Sequence, residues 1–173
     1  MLSKREIILI TLVIVIGVVA YGFASIYLVP QVTFLDAQKL ASYIASTSSL
    51  SASIVNSTAH EVSLKAMLYN HAFNGTAYVL VLTAPSAGVY TPSSIQPFSV
   101  CWSKAPAVQI SSPIYDTSGK ILYAGQATLY KVSFNTPLTI TIDNVNPNDI
   151  VIWFIVNEGG YWFRVAFSYP WYF

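Results

Sequence analysis

An uninterrupted apolar stretch lies near the N-terminus of the sequence. From Ile7 to Val29 the chain has 23 residues without a charged side chain or a proline, and Pro30 follows directly. As an α-helix this stretch would be about 34 Å long, which is enough to cross the roughly 30 Å hydrocarbon core of a bilayer. The pattern predicts that residues 1–30 form a transmembrane helix.

Basic residues indicate the orientation of such a helix. Lys4 and Arg5 lie just before the apolar stretch, and the next basic residue is Lys39. The positive-inside rule therefore predicts a cytoplasmic N-terminus before any assembly, with residues 31–173 outside the cell.

Small residues in the helix would let a second helix approach closely. The helix-packing candidates are Gly17, Ala20, Gly22 and Ala24.

Residues 31–60 combine a short helical pattern with a serine-rich stretch. Leu35, Leu40, Tyr43 and Ile44 recur at near-helical spacing, which predicts a helical extension over residues 35–45. Residues 46–53 read Ser-Thr-Ser-Ser-Leu-Ser-Ala-Ser, a composition typical of a loop or a flexible linker. We interpret residues 31–60 as a helical extension and stem between the membrane and a head.

From residue 61 onward the hydrophobic period changes from helical to alternating. Alternate positions from Val62 to Leu68 are apolar, and the same alternation runs from Leu138 to Ile142. This period of two residues predicts half-buried strands. Further candidate strands cover residues 76–83, 95–102, 107–111 and 121–134, the last of them bent at Gly125.

The C-terminal part of the chain predicts a hairpin with a buried strand. The run from Val151 to Val156 is continuously apolar, which predicts a strand at the centre of a sheet. Gly159-Gly160 can supply the positive φ angles of a tight connection to a second strand over residues 161–169. Arg164 interrupts that second strand and is predicted to face solvent or to cap the sheet edge. Asn, Asp and Pro over residues 143–149 predict a turn.

These patterns together predict a mainly β chain. Seven or eight short strands over about 110 residues, separated by turn signals, are typical of an immunoglobulin-like antiparallel β-sandwich. The sequence therefore predicts such a head over residues 61–173, preceded by one long N-terminal hydrophobic α-helix. A small jelly roll or an open barrel would give a similar spacing of strands.

Composition and charge exclude several classes of function. Hydrophobic residues make up 54% of the chain and charged residues 9%, with a net charge of +1, so no nucleic-acid partner is expected. Cys101 is the single cysteine, which excludes an intrachain disulfide and is expected to be a buried thiol. His60 and His71 do not have the spacing of a metal site, and no catalytic motif is present. We expect no enzyme activity, no metal and no cofactor.

Two other sequence features bear on a surface role. The sequons at Asn56 and Asn74 are acceptors for N-linked glycans in an exported chain. The chain ends on the aromatic residues Trp171, Tyr172 and Phe173, which could pack on their own domain or contact a neighbouring subunit.

Residues 4–29 resemble the N-terminal segment of type IV pilins, including archaeal pilins and archaellum proteins, in position, length and content of small residues. The resemblance implies a helix that is stored in the membrane and then packs with its copies in a filament core, with a β-rich head outside. The segment differs from a prepilin processing site, because Glu6 follows Lys4-Arg5. The expected function is a structural subunit of a cell-surface filament, in which identical subunits form a homopolymer.

Two alternatives remain open from the sequence. In the first, the chain is a single-pass envelope, archaellum-accessory or virion membrane protein whose helix stays in lipid. In the second, residues 1–24 are a cleaved signal peptide, and the secreted subunit polymerises by strand exchange. All three hypotheses place the head at the cell surface or outside the cell.

Overall fold

The computed structural model describes residues 3–28, 32–58, 60–83, 106–143 and 149–168. The chain divides into two compact units, Met1–Val32 and Thr33–Phe173, and we call the second unit the head. The first unit contains helix α1 (Lys4–Leu28). The described part of the head contains α2 (Phe34–Thr47), β1 (Ser48–Ser57), β2 (Glu61–Asn70), β3 (Thr76–Thr83), β4 (Ala107–Ile110), β5 (Ile114–Tyr115), β6 (Ile121–Tyr123), β7 (Ala127–Ser133), β8 (Leu138–Asp143), β9 (Ile150–Glu158) and β10 (Tyr161–Phe167).

The described strands of the head form two sheets, which confirms the mainly β class. One sheet has three antiparallel strands in the order β1-β2-β8. The other has seven strands in the order β4-β7-β3-β9-β10-β5-β6 and curls into a half-barrel, with β5 and β10 as its parallel pair. The immunoglobulin-like sandwich is not confirmed, because that arrangement divides its strands more evenly between two antiparallel sheets.

Two apolar clusters lie on opposite faces of the seven-stranded sheet. The first cluster also includes buried residues of α2, β2 and β8, so it joins the helix and both sheets. The second cluster combines residues of β3 and β9 with others from β4 to β7. Within β9, Phe154 belongs to the first cluster and Trp153 to the second, because successive side chains of a strand point to opposite faces. Burial on both faces explains why this strand is continuously apolar.

Several predicted strands are confirmed. In β2 the alternate residues from Val62 to Leu68 are all at most 1% exposed, and β3 has the predicted bounds. Strand β9 lies at the centre of its sheet, as predicted. It is joined to β10 through Gly159 and Gly160, whose φ angles are 59° and 87°. Two positive φ angles in a row are the requirement of the type I′ hairpin turn, which explains the two glycines.

The flexible linker predicted over residues 46–53 is wrong. Helix α2 continues to Thr47, and the next ten residues form β1, which pairs along its length with β2. The side chains of Leu50, Ala52 and Ile54 alternate with serines, so the strand has an apolar face toward the first cluster. Tertiary pairing therefore overrides the weak strand propensity of serine.

The single bent strand predicted over residues 121–134 is also wrong. Strand β6 pairs with β5 at one edge of the seven-stranded sheet, whereas β7 pairs with β3 and β4 near the other edge. The Tyr123 hydroxyl donates a hydrogen bond of 2.8 Å to the Gln126 carbonyl oxygen, within the connection between the two strands. The candidate strand over residues 95–102 and the core of the predicted turn, residues 144–148, lie outside the described residues.

Candidate functional site

The apolar side chains of α1 are exposed along the part of the helix for which side chains are described. From Ile7 to Tyr21 the large hydrophobic side chains are between 46% and 78% exposed. Thr11 is the one polar residue between Ile7 and Ala20, and its hydroxyl donates a 2.9 Å hydrogen bond to the Ile7 carbonyl oxygen. The segment Lys4–Gly22 has the length and composition to cross a membrane. A helix of this kind near the N-terminus is typical of a membrane anchor or of a signal sequence.

A capping box begins α1. The backbone N–H of Ser3 donates to Glu6 Oε2 at 2.7 Å, and the backbone N–H of Glu6 donates to Ser3 Oγ at 3.4 Å. This reciprocal pair satisfies two backbone donors at the start of the helix, where no intrahelical acceptor is available. Glu6, the residue that departs from a prepilin processing site, thus has a role in helix capping. The Ser-x-x-Glu spacing is the sequence signature of a capping box, and we did not identify it from the sequence.

Three of the four predicted helix-packing residues share one face of α1. At about 100° per residue, Gly17, Ala20 and Ala24 lie within roughly 60° of one another around the helix axis, whereas Gly22 lies on the opposite side. A Cβ atom built on Gly17 or Gly22 would meet no other atom within 4 Å, and Ala20 is exposed. The side chain of Ala24 lies outside the described part. Small residues on one face form a shallow strip against which a second helix could pack.

Helix α2 is packed against the head through a face that hydropathy alone did not identify. Its buried residues are Ala37, Ala41 and Ile44. Of the four residues from which the helix was predicted, only Ile44 is buried, whereas Leu35, Leu40 and Tyr43 are exposed. Alanine allows the helix to lie close to the sheet, so the small residues occupy the interface and the larger ones face outward.

Aromatic contacts hold the N-terminal end of α2. The ring of Phe34 lies 4.9 Å from Tyr115, 5.1 Å from Tyr161 and 5.5 Å from Phe163, measured between centroids. Gln38 Nε2 donates a 3.1 Å hydrogen bond to the Thr117 carbonyl oxygen in the β5–β6 connection. These contacts make α2 part of the head, so the head begins well before residue 61, at which its first strand was predicted.

Asn70 connects four segments of the head through its buried side chain and its own backbone groups. Its Oδ1 accepts hydrogen bonds of 2.8 Å from the backbone N–H groups of Ala72 and Phe73. Its Nδ2 donates to the C-terminal end of α2 and the start of β1, with the acceptors Ile44 O, Thr47 Oγ1 and Ser48 Oγ. Asn70 and Asn135 also exchange hydrogen bonds of 2.8 Å and 3.0 Å, which attach the β7–β8 turn. Sequence reasoning did not identify Asn70, because its role depends on residues distant in the chain.

The two sequon asparagines are both exposed. Asn74 lies in the loop between β2 and β3, whose first residues are held by Asn70. Asn56 lies near the end of β1, just after an irregularity in the pairing with β2 at Ile54 and Asn56. A glycan attached to either side chain would therefore project from the surface of the head.

Arg164 does not cap a sheet edge, because β10 lies between β9 and β5. Its guanidinium carbon lies 5.0 Å from the ring centroid of Trp153 and 4.1 Å from that of Phe167, and the side chain is half-buried. A cation placed over aromatic faces is stabilised by the ring electrons. The expectation that Arg164 simply faces solvent is therefore corrected to a packed position over two rings.

Asp116 organises the turn between β5 and β6. Its Oδ1 accepts hydrogen bonds from the Ser118 hydroxyl at 2.6 Å and from the backbone N–H groups of Ser118 and Lys120, each at 2.9 Å. Burial alone would raise the pKa of Asp116, but these hydrogen bonds and the charge of Arg164 lower that pKa overall. At the end of β9, burial raises the pKa of the Glu158 carboxyl.

The described ionisable groups do not assemble into a site with obvious chemistry. His60 and His71 are exposed. Among the described residues, no group of three or more His, Cys, Asp or Glu side chains could hold a metal ion. Cys101 and the aromatic residues Trp171, Tyr172 and Phe173 lie outside the described residues, so their predicted roles stay predictions.

Comparisons with known proteins were made at the level of family, sequence and fold. No protein-family model, no curated protein and no solved structure matches the chain. The function must therefore be inferred from the residues and contacts of the chain itself.

Proposed function

We propose that this chain is a structural subunit of a cell-surface filament, with α1 in the filament core and the head outside, similar in layout to type IV pilins. The observation that carries the proposal is the exposed surface of α1, which is apolar on all sides from Ile7 to Ala20. In a filament core, the same surface would be covered by the helices of neighbouring subunits.

The free energy gained by burying the apolar side chains of α1 is large compared with the stability of a folded domain. Eleven large aliphatic side chains between Ile7 and Val19 are exposed by 46% or more. Burying each of them fully would contribute about 1.5–3 kcal/mol, so covering all of them contributes roughly 16–33 kcal/mol as an upper estimate. That exceeds the roughly 5–15 kcal/mol by which a whole domain is stable. The chain would therefore be driven to insert into lipid or to assemble.

In the proposal the head has a structural role. It has two apolar clusters and a docked helix, and its exposed sequons at Asn56 and Asn74 suit an exported protein. In the proposal the head forms the outer sheath of the filament and carries N-linked glycans. In the proposal the two sheets of the head form a variant of the immunoglobulin-like sandwich, and α2 covers part of the interface between them.

A second candidate is a single-pass membrane protein whose helix stays in lipid. The observation that favours it is the length of α1, 25 residues, together with an apolar surface that has no polar face. Lipid tails can cover such a surface without any copy of the chain.

Electron microscopy of material sheared from the surface of cells that express the full chain separates the two candidates. The filament proposal predicts thin filaments that contain the chain, with residues 4–28 present when the subunit is sequenced from its N-terminus. Recovery of the chain only in the membrane fraction, without filaments, would support the lipid anchor. Loss of residues up to 24 would contradict both and favour a secreted subunit.

A further inference from the structure

Strand β1 is an edge strand of the three-stranded sheet that the described residues form. It pairs with β2 from Ser48 to Ser57 and with no other strand among the described residues. It contains no charged residue and no proline, which are usual means by which proteins protect an exposed edge. The other edge strands described are shorter, with six residues in β8, four in β4 and three in β6.

The apolar cluster beneath β1 is incompletely covered. Leu50, Ala52 and Ile54 pack against the first cluster but remain half-buried. In the neighbouring strand, Val62 and Leu64 are fully buried. An additional strand beside β1 would extend the sheet next to these three side chains and would pair with the backbone groups along the outer edge of β1.

The sequence of β1 is close to a palindrome about Ala52. Ser51 and Ser53 flank this alanine, and Leu50 and Ile54 lie one position further out on each side. In an antiparallel pair of two β1 strands centred on Ala52, each Ser51 is directly opposite a Ser53, and each Leu50 is opposite an Ile54. Residues directly opposite each other point to the same face, so all apolar side chains stay on the core side.

We propose that β1 is a docking edge for β1 of a second copy of this chain, in an antiparallel two-fold pair centred on Ala52. The pair joins the two three-stranded sheets into one sheet of six strands, with both apolar faces on the same side. Charge does not oppose it, because β1 is uncharged and Lys65, its neighbour on β2 opposite Ser53, would be about 16 Å from its counterpart, measured between Cα atoms. The paired residues 50–54 precede the irregularity at Asn56, so that sequon lies beyond them.

This inference goes beyond the proposed function. A two-fold contact closes on itself, so it pairs heads and cannot extend a polymer. In a filament, the contact would therefore be separate from the contacts that extend the polymer. For a lipid-anchored chain, it would join two heads above one membrane.

Register-specific crosslinking of the full chain in detergent tests the pair. Chains carrying Ser51→Cys are mixed with chains carrying Ser53→Cys and then oxidised. In the proposed register these two positions are opposite, with Cα atoms about 4.5–5.5 Å apart, which suits a disulfide. The Cα atoms of the two Ser51 residues are instead more than about 8 Å apart across the pair, which is too far for a disulfide. Both serines are exposed, so neither substitution disturbs the core.

The mixture should yield several-fold more disulfide-linked dimer than either variant alone or the parent chain, whose one cysteine is Cys101. Equal yields in all four samples would overturn the proposal. Dimerisation through α1 alone would not favour a disulfide between positions 51 and 53 over the other combinations. It therefore cannot produce a higher yield of linked dimer in the mixture. Filament formation is read separately by microscopy, so failure of the pair and failure of the proposed function are distinguishable.

Charge placed on the same serines gives an independent measurement. The double variant Ser51→Lys/Ser53→Lys places lysines opposite lysines, which disfavours pairing with itself. Mixing it with Ser51→Glu/Ser53→Glu places opposite charges together, so mixed dimers should exceed self-dimers several-fold when measured by native mass spectrometry. A statistical mixture of dimers, or monomers in every sample, would contradict the proposed register.

Discussion

Helix α1 and strand β9 are the two most continuously apolar stretches described in this chain, and they have opposite environments. From Val151 to Val156 every side chain of β9 is buried, because the two apolar clusters lie on either face of its sheet. From Ile7 to Val19 the large side chains of α1 are about half exposed or more. Similar hydrophobicity therefore accompanies two different environments: β9 stabilises its own head, whereas in the proposed function α1 is covered by copies of itself.

We therefore predict that the stability of the head and the membrane insertion or assembly of the chain can be changed separately. A substitution in β9 should act on the unfolding of the head. A substitution in α1 should act on membrane insertion or on assembly, and should leave the head unchanged.

The largest effect is expected for Phe154→Ala. The Phe154 side chain is fully buried in the first cluster, and its truncation leaves a cavity that should lower the free energy of unfolding by about 3–5 kcal/mol. Ile14→Ala in α1 is the matched control and should leave head unfolding within about 0.5 kcal/mol of the parent. Chemical denaturation of the full chain in detergent, followed by tryptophan fluorescence, measures both. Equal destabilisation by the two variants would remove the distinction between the regions.

A lysine in the middle of α1 should have the next largest effect. Ile14→Lys places a charge at the centre of the apolar helix, at a cost of about 2.5–3.5 kcal/mol for insertion into a membrane. We expect a several-fold loss of membrane insertion and of filaments, with unfolding of the head unchanged. Sedimentation of membranes and microscopy give the measurement, and normal incorporation of this variant would show that α1 is not embedded.

Within the head, Asn70→Ala should cost less than the loss of Phe154. The substitution leaves the buried Ile44 carbonyl oxygen and the Ala72 and Phe73 N–H groups without the Asn70 side chain, which should cost about 1–3 kcal/mol. Asn74→Ala in the same loop is the control, because this exposed side chain should contribute little to stability. If both variants unfolded at the same denaturant concentration, Asn70 would not have its assigned role.

The smallest effects are expected from two carboxylates whose pKa values shift in opposite directions. The pKa of Asp116 is lowered, so its ionised form stabilises the head above the unfolded-state pKa of about 3.9, and this contribution disappears as the pH falls through the folded-state pKa. Asp116→Asn should therefore cost about 1 kcal/mol at neutral pH and nothing in strong acid.

Glu158→Gln should show the reverse behaviour. Burial raises the pKa of Glu158, so ionisation opposes folding above the folded-state pKa. The glutamine variant should be slightly more stable than the parent at neutral pH, and this advantage should vanish below the unfolded-state pKa of about 4.3. Unfolding curves from pH 2 to 7 measure both variants. If the stabilities of the two variants relative to the parent changed with pH in the same direction, the pKa shift assigned to one of the two carboxyls would be wrong.

Local patterns in the sequence predicted those elements whose own residues determine them. The apolar helix, the alternation in β2 and the Gly159–Gly160 hairpin were all readable, because helix length, strand period and turn geometry depend on neighbouring residues. The alternation of Leu50, Ala52 and Ile54 with serines was also present in β1, but serine content outweighed it in our prediction.

The remaining features depend on contacts between distant residues. The buried face of α2 uses Ala37 and Ala41, which hydropathy ranks below Leu35 and Leu40, because closeness to the sheet decides the packing. Asn70 gains its role from groups at residues 44–48 and from Asn135. The separation of β6 from β7 follows from their different strand partners. None of these partners can be identified from a local pattern.

The central claim is that α1 is covered by copies of itself, and removal of detergent from the purified full chain tests it most directly. Without added lipid, the chain should assemble into filaments with helical symmetry, and electron microscopy should place α1 at the filament core and the head outside. A detergent-free sample that stays monomeric and folded would contradict the claim, because the exposed apolar surface of α1 would then need no covering.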